Sequence, residues 1–283
     1  MIFYLFLGFL LYAVLLFVYV IIGNYLHGKQ ERESYDSTVE LLDQITLVIP
    51  FRNESQRIQE LLKSIKNSNS FPFEIIFVDD HSSDHGAIII EKELQGINYR
   101  IIQMEEQEGK KYALRKAFAE VKTSFILTMD ADVYFEQNYF DSFQQMPNSD
   151  LYILPLVITA PNFISRILEF DTLILNAFNV GLAVFHRPIV SSGANLLFNK
   201  EVFDSVDQFE SHKDIASGDD IFLLKDFVKA KKEIKILSAL NLRVYSPSPK
   251  NVKEYMHQRL RWLSKTPKVK DSVSNLFGFF QLS

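Results

Sequence analysis

An α/β fold built on a mostly parallel sheet is what this sequence predicts, and three observations carry the prediction. Short apolar runs rich in β-branched residues alternate with helical patterns of about ten residues, the signature of βαβ units. Acidic clusters follow, or lie close to, a hydrophobic run that reads as a buried strand or a helix start: Asp79-Asp80 with Asp84, Asp130-Ala131-Asp132, and Gly218-Asp219-Asp220. An uncharged apolar stretch, Met1 to Ile22, precedes the alternating region.

Met1 to Ile22 is read as an N-terminal transmembrane helix, since roughly 22 residues at 1.5 Å each cover a ~30 Å hydrocarbon core. It lacks the basic start and small-residue cleavage site of a signal peptide. Lys29 and Arg32 are the first basic residues after it. By the positive-inside rule the remainder is expected in the cytosol. The expected location is the cytoplasmic (inner) membrane of a bacterium. The expected organisation is 1–23 transmembrane helix, 24–44 juxtamembrane linker, 45–265 catalytic domain, and 266–283 an apolar tail or the start of a further membrane segment.

Within the domain, Ile45 to Ile49 reads as a strand closed by Pro50, and Ile58, Leu61, Leu62 and Ile65 have helical spacing. Phe73 to Val78 is a second buried strand, ending in Asp79. Gly86 to Leu94 is helical, Tyr99 to Ile102 a strand, and Lys111 to Val121 helical. Ser124 to Met129 leads into Asp130. Leu151 to Thr159 reads as one strand. Asn162 to His186 is apolar but interrupted by Arg166, Glu169 and Asp171, so an amphipathic helix on the domain or membrane surface is expected, not a second span. Ile189 to Phe198 reads as strand-turn-strand. Ile221 to Ala230 and Val252 to Trp262 read as helices.

Composition excludes several classes. With no cysteine, there is no disulfide, thiolate nucleophile or Cys-based zinc site. A net charge of -5 does not suit a nucleic-acid binder. No P-loop pattern and no Gly-x-Ser-x-Gly is present. His81, His85, His186, His212 and His257 are read as non-ligands, none of them standing in a His-Glu-x-x-His pattern.

In an open α/β sheet ligands bind beyond the carboxyl ends of the strands, where these aspartates stand. Hard carboxylate oxygens suit Mg²⁺ or Mn²⁺. Asp79, Asp80 and Glu54 are candidates to accept hydrogen bonds from a base imide or ribose hydroxyls. Ser82, Ser83 and Asp84 are candidate helix caps, and Asp84 is assigned mainly to that role. Lys110 could pair with a diphosphate or with Asp80. Gln258, Arg261 and Trp262 share one helix; Arg261 can clamp phosphate and Trp262 offers a flat face, with an interfacial anchor as the plainer role.

Taken in order, these motifs resemble the family 2 glycosyltransferases, the inverting, nucleotide-sugar-dependent group with the GT-A fold. Val48-Ile49-Pro50-Phe51-Arg52-Asn53-Glu54 resembles that family's first strand and nucleotide loop, and Val78-Asp79-Asp80-His81-Ser82-Ser83-Asp84 its second. Gly109-Lys110-Lys111-Tyr112-Ala113-Leu114 is similar to its Gly-Lys-x-x-Ala-Leu helix start. Asp130-Ala131-Asp132 stands for its Asp-x-Asp, and Ser192-Gly193-Ala194 for its acceptor-side turn. Gln258-Arg259-Leu260-Arg261-Trp262 resembles the Gln-x-x-Arg-Trp of membrane-associated members such as cellulose and hyaluronan synthases. Asp219-Asp220 replaces the usual Glu-Asp pair, and Tyr245 to Pro249 stands where many members carry Thr-Glu.

The resemblance implies a metal-dependent enzyme moving a sugar from a nucleotide diphosphate, expected to be UDP, to a hydroxyl of a glycan or lipid-linked acceptor. It implies Asp132 as metal ligand, Asp130 near the ribose or the metal, and Pro50, Glu54, Asp79, Asp80, Lys110, Gln258, Arg261 and Trp262 around the nucleotide sugar. Asp220 is the expected base, supported by Asp219. The rivals are a polyprenyl-phosphate sugar synthase, an Asp-x-Asp phosphotransferase and a silent membrane-anchored scaffold. Gln-x-x-Arg-Trp counts against the first, and Val133-Tyr134 after Asp132 against the second.

Overall fold

The computed structural model describes residues 2–260 apart from 107, 161–162, 186–187, 189, 207–208, 211–217, 250, 252 and 257–259. For 2–9, 12–13, 163–164, 167–168, 171–172, 175 and 182 it describes the backbone alone. The central sheet has seven strands: β2 (Ile45–Phe51), β3 (Glu74–Asp79), β4 (Tyr99–Gln103), β5 (Phe125–Thr128), β8 (Leu151–Ile153), β10 (Leu196–Asn199) and β11 (Ile234–Ile236), ordered β11-β8-β10-β5-β2-β3-β4. All neighbours run parallel except around β10, which is antiparallel to both β5 and β8.

Helices cover both faces, which is why the strands are continuous apolar runs instead of alternating ones. On one face Leu47, Ile49, Ile75, Phe77 and Leu127 meet α2 (Ile58–Lys66) and α3 (Gly86–Glu93). The buried residues of α2, Ile58, Leu61, Leu62 and Ile65, are the predicted stripe. On the other face Val48, Ile76, Val78 and Ile126 meet α4 (Lys110–Glu120), α6 (Lys200–Ser205) and α7 (Asp219–Lys229). Much of the phenylalanine is spent here. Phe118 lies 5.4 Å from Phe198 and 5.1 Å from Phe203, both edge-on, and Phe198 lies 6.2 Å from Phe227. Such pairs add about 0.5–1.5 kcal/mol each beyond the area they bury.

Two segments differ from the sequence expectation. Leu151 to Thr159 is two strands, not one. After β8 the chain turns at Leu154-Pro155, and β9 (Leu156–Thr159) joins a second sheet with β12 (Val244–Pro247) and β6 (Tyr134–Phe135). Pro155 has no N–H for the central ladder, while its carbonyl accepts from Val244 N and Asn195 Nδ2. The other is Ile189 to Phe198, where β10 is the only strand among the described residues. Ser191 to Asn195 form a turn from which Ser191 Oγ and Gly193 N donate to Asp220 of α7.

A long helix, α1 (Ile2–Ser34), precedes the domain and continues through 24–34, the start of the segment read as a linker. Its polar end docks on the domain. His27 Nε2 lies 2.9 Å from the carbonyl of Ile236, and Ser238 N donates to Glu31 Oε1 at 2.5 Å. Next, β1 (Thr38–Val39) pairs with β7 (Met146–Pro147). α1 packs along α5 (Phe163–Ala183), the predicted amphipathic helix. Among the described residues no helix is long and apolar enough to cross a membrane. The side chains of 2–9 and 12–13, which carry much of the sequence argument for a span, lie outside that description.

Candidate active site

The carboxyl ends of β2, β3 and β5 lie side by side, and the N-termini of α4 and α7 meet there, Lys110 of α4 reaching Asp130 after β5 and Asp219 of α7. Each loop is folded by its own side chains. Asp79 Oδ1 accepts from Ser82 N at 2.8 Å, closing the turn after β3. Asp80 accepts from Gly109 N with both oxygens at 3.0 Å and lies 4.0 Å from Arg52 Nη1. Gly109 takes φ 116°, which a side chain would resist, and so brings its N–H onto Asp80 as α4 begins. Asp84 accepts from Ser55 N at 2.8 Å and Gly86 N at 3.0 Å, tying the two nucleotide-type loops together. Burial pushes its carboxyl up, but these two N–H donors outweigh that and hold it below the usual range. Pro50 sits in β2 beyond the last β5 pairing, where a missing N–H costs no ladder bond.

Two cations organise the carboxylates. Arg57 bridges Glu54 at 2.6 Å and Asp132 at 3.5 Å. Burial raises the carboxyl of Glu54, and its Oε2 is buried without a hydrogen-bond partner. Asp132 is raised by burial and by the neighbouring Asp130, with Arg57 opposing. Lys110 lies 2.5 Å from Asp130 and 3.9 Å from Asp219. Burial opposes its charge, yet Asp130, Asp219 and Asp220 together raise it above the normal lysine range. A single ammonium thus links the carboxylate after β5 to the pair that opens α7.

Asp219 and Asp220 start α7 after Gly218, whose φ of 90° is a left-handed conformation suited to glycine. Asp220 Oδ2 accepts from Gly193 N at 3.4 Å, and its carbonyl accepts from Ser191 Oγ at 2.9 Å. The acceptor-type turn is therefore fastened to the carboxylate pair. Beneath it, the buried Tyr139 donates to Asn195 Oδ1 at 2.7 Å, and Asn195 Nδ2 donates to the carbonyls of Pro155 and Leu242.

The structure brings Pro50, Glu54, Asp79, Asp80, Lys110, Asp130, Asp132, Asp219 and Asp220 together at the strand ends on one side of the sheet. Gln258, Arg261 and Trp262 lie outside the described residues. Arg57 was not singled out from the sequence, although its position three residues after Glu54 is the spacing of a helical ion pair. The Gly193 N–H was also missed, because a backbone donor leaves no residue-type signal. Among the described residues no group of three or more His, Cys, Asp or Glu side chains could hold a metal by itself. Asp130 and Asp132 still offer hard oxygen donors, and Glu54 Oε2 lacks a partner nearby. These fit a divalent cation that completes its shell with oxygens of a phosphate ligand.

Fold and site together define a mixed α/β domain whose carboxylates gather at the strand ends, the place where open α/β sheets bind ligands. The chain matches the family model Glycosyl transferase family 2 over residues 46–150 and Glycosyl transferase family group 2 over 125–266. It belongs to the family 2 glycosyltransferases.

A curated relative is the poly-beta-1,6-N-acetyl-D-glucosamine synthase of Staphylococcus aureus (strain COL), 28% identical over 135 residues, 46% of this chain and 33% of that protein. Another is the teichoic acid poly(glycerol phosphate) polymerase of Staphylococcus epidermidis, 24% identical over 170 residues, 57% of this chain and 23% of the relative. The chain thus spans about a third or less of these relatives. Among solved structures, the mannosyltransferase PcManGT of Pyrobaculum calidifontis, in complex with GDP-Man and Mn²⁺, superposes with TM-score 0.58 at 15% identity, over 89% of this chain and 71% of that one. S. aureus TarS 1-349 in complex with UDP-GlcNAc gives 0.51 at 19% identity, over 77% and 65%. At those identities the likeness is one of GT-A-like fold.

Proposed function

We propose that this protein is a metal-dependent inverting glycosyltransferase, transferring a sugar from a nucleotide diphosphate donor, a UDP-sugar, to a hydroxyl of a glycan or lipid-linked acceptor at the membrane. One observation carries the reading. Lys110 reaches Asp130 on the donor side and Asp219 on the acceptor side, so both halves of a transfer reaction share one cleft. The sugar nucleotides named with the two solved neighbours agree with that donor class.

Glu54, Asp79 and Asp80 line the end of the cleft where a base and ribose would lie. Asp132 and Asp130 would hold Mg²⁺ or Mn²⁺, which when bound supplies positive charge to the departing diphosphate. Lys110 adds a second cation beside it. Asp220 takes the proton of the acceptor hydroxyl while that oxygen forms its bond to the anomeric carbon. The bond to the diphosphate oxygen breaks on the opposite side, its electron pair leaves with the diphosphate, and the configuration inverts. The Gly193 N–H, 3.4 Å from Oδ2, orients the base. Gln258, Arg261 and Trp262 are assigned to the same donor pocket.

The membrane location rests on the uncharged run Met1 to Ile22, on the basic residues Lys29 and Arg32 after it, and on the large apolar side chains that α1 exposes. The catalytic domain is placed in the cytosol of a bacterial cell. The test is nucleotide release from a panel of UDP-, GDP- and other nucleotide sugars, with and without Mn²⁺. Metal-dependent release of the nucleoside diphosphate is expected. Release of inorganic phosphate would indicate a phosphotransferase, and no release from any donor would indicate a silent scaffold.

A further inference from the structure

The transfer chemistry leaves α5 without a task. α1 and α5 run antiparallel: Asn24 Nδ2 donates to the carbonyl of Ala177 at 2.8 Å, and the rings of Tyr19 and Phe185 lie 4.4 Å apart. Between those contacts Gly23 meets Gly181. A Cβ on Gly181 would stand 2.7 Å from the carbonyl oxygen of Val20, and one on Gly23 would overlap the carbonyl of Gly181. Neither helix has room for a side chain there. Asn24 also donates to its own helix at Val20 O, 2.8 Å away. Close backbones at small residues, with an amide turned onto carbonyls, are how helices associate where the surroundings are lipid.

Away from this seam, both helices expose large apolar groups among the described side chains. Leu11, Leu15, Phe17 and Ile21 on α1, with Phe170 and Leu173 on α5, are 51–63% exposed. Lys29 is the first charge on α1. On α5 the charges Arg166, Glu169 and Asp171 fall in the first half and precede an uncharged run from Thr172 to Ala183. At 1.5 Å per residue that run covers about 18 Å, too little to cross a ~30 Å core but enough to lie in its surface. Lipid is the occupant to which these facts point. An apolar helix open on most sides has no stable place in water. The polar end of α1 is fixed to the domain by His27 and Glu31, so the apolar part stands off it in a set direction. Phe185 follows α5 and packs against Tyr19, which lies in the uncharged part of α1.

The same helix is bonded to the candidate site. Asn179 Nδ2 donates to the carbonyl of Val190 at 2.9 Å and its Oδ1 accepts from Val190 N at 3.1 Å. The next residue, Ser191, donates to the carbonyl of Asp220. The geometry points to α5 as a second lipid-contacting helix, locked to α1 at the Gly23–Gly181 crossing, which sets the acceptor-side turn Val190 to Gly193 beside the bilayer surface. This rests on the membrane reading of α1, and it implies an acceptor offered from the lipid surface.

Because the chain has no cysteine, single-cysteine variants report cleanly. Leu15→Cys on α1, Phe185→Cys just after α5 and Leu240→Cys, at a position 68% exposed on the domain, are compared in native membrane vesicles. Each is read by a water-soluble maleimide and, with a bimane label, by quenching from spin-labelled lipids. Leu15 and Phe185 thiols should react more than about tenfold more slowly than Leu240, since lipid burial suppresses the thiolate, and should be quenched. Adding Gly181→Leu should expose the Phe185 probe while the Leu15 probe stays quenched. If Leu15 is quenched and Phe185 reacts freely in the wild-type glycine background, the α5 inference fails and the anchor stands. If neither is quenched, the anchor reading itself fails. A protected but unquenched Phe185 thiol that cross-links between copies would assign the face to self-association and overturn the lipid assignment.

Discussion

Replacing Lys110 with methionine removes one charge and keeps the stem length, and its effect can be worked from two distances. At an effective dielectric near 20, unit charges 2.5 Å apart attract by roughly 7 kcal/mol and 3.9 Å apart by about 4 kcal/mol, before desolvation is counted. Lys110 and Asp130 are both more than a third exposed, so water screens most of this. About 1–3 kcal/mol remains, the range of a charge-assisted hydrogen bond. A nucleotide diphosphate entering the variant would face Asp130, Asp132, Asp219 and Asp220 without that cation. Taking about 2 kcal/mol, its affinity should fall about 30-fold. Loss of a neighbouring cation also makes a carboxylate easier to protonate, so the acid limb of kcat/KM should move to higher pH. Calorimetry with UDP and Mn²⁺, together with a pH–rate profile, reads both effects. An affinity within about threefold of wild type, with an unmoved acid limb, would refute the idea that Lys110 joins the two halves of the site.

Asp220→Asn should abolish transfer while UDP–Mn²⁺ binding stays close to wild type; measurable turnover would remove Asp220 as the base. Asp84→Ala removes the acceptor of two backbone N–H groups and should cost about 1–2 kcal/mol in urea unfolding at pH 7. Because the folded carboxyl is held below its unfolded value near 3.9, that stability is present above this pH and lost as pH falls through the lower folded value. The wild-type advantage over Asp84→Ala should therefore vanish in strong acid, and an advantage that persists there would contradict the assignment. Tyr139→Phe leaves Asn195 Oδ1 buried without its donor and should cost about 1–3 kcal/mol. Loss of transfer without loss of stability in that variant would give Tyr139 a different role.

The first half of the domain was legible because local chemistry and final position coincide there. Val48 and Ile49 fill opposite faces of β2, so the run is apolar throughout, and Asp79 closes the similarly apolar β3 at its carboxyl end. The spacing of Ile58, Leu61, Leu62 and Ile65 fixes α2 in the same way. The second half was less legible because its strands are short and their pairing is non-local. Three-residue β11 is recognisable only through its partner β8, 83 positions earlier at Ile234 and Leu151. Leu151 to Thr159 has strand chemistry throughout, and only the partners of Pro155 reveal that it splits between two sheets. At the site, aspartates after strands announced themselves. The contacts that join them did not, since Arg57 reads as an ordinary helix-end charge and Gly193 acts through its backbone. The glycine crossing of α1 and α5 was invisible for another reason: Gly23 and Gly181 lie far apart in the chain and neither forms a motif alone.

The central claim is that Asp130, Asp132 and the Asp219–Asp220 pair surround one sugar nucleotide and its cation. Electron paramagnetic resonance of Mn²⁺ tests it most directly, with and without UDP, in wild type and in Asp132→Asn. The account predicts weak Mn²⁺ binding alone, marked tightening when UDP is added, and loss of that tightening in Asp132→Asn. Tightening that is undiminished in the variant, or absent in the wild type, would contradict it.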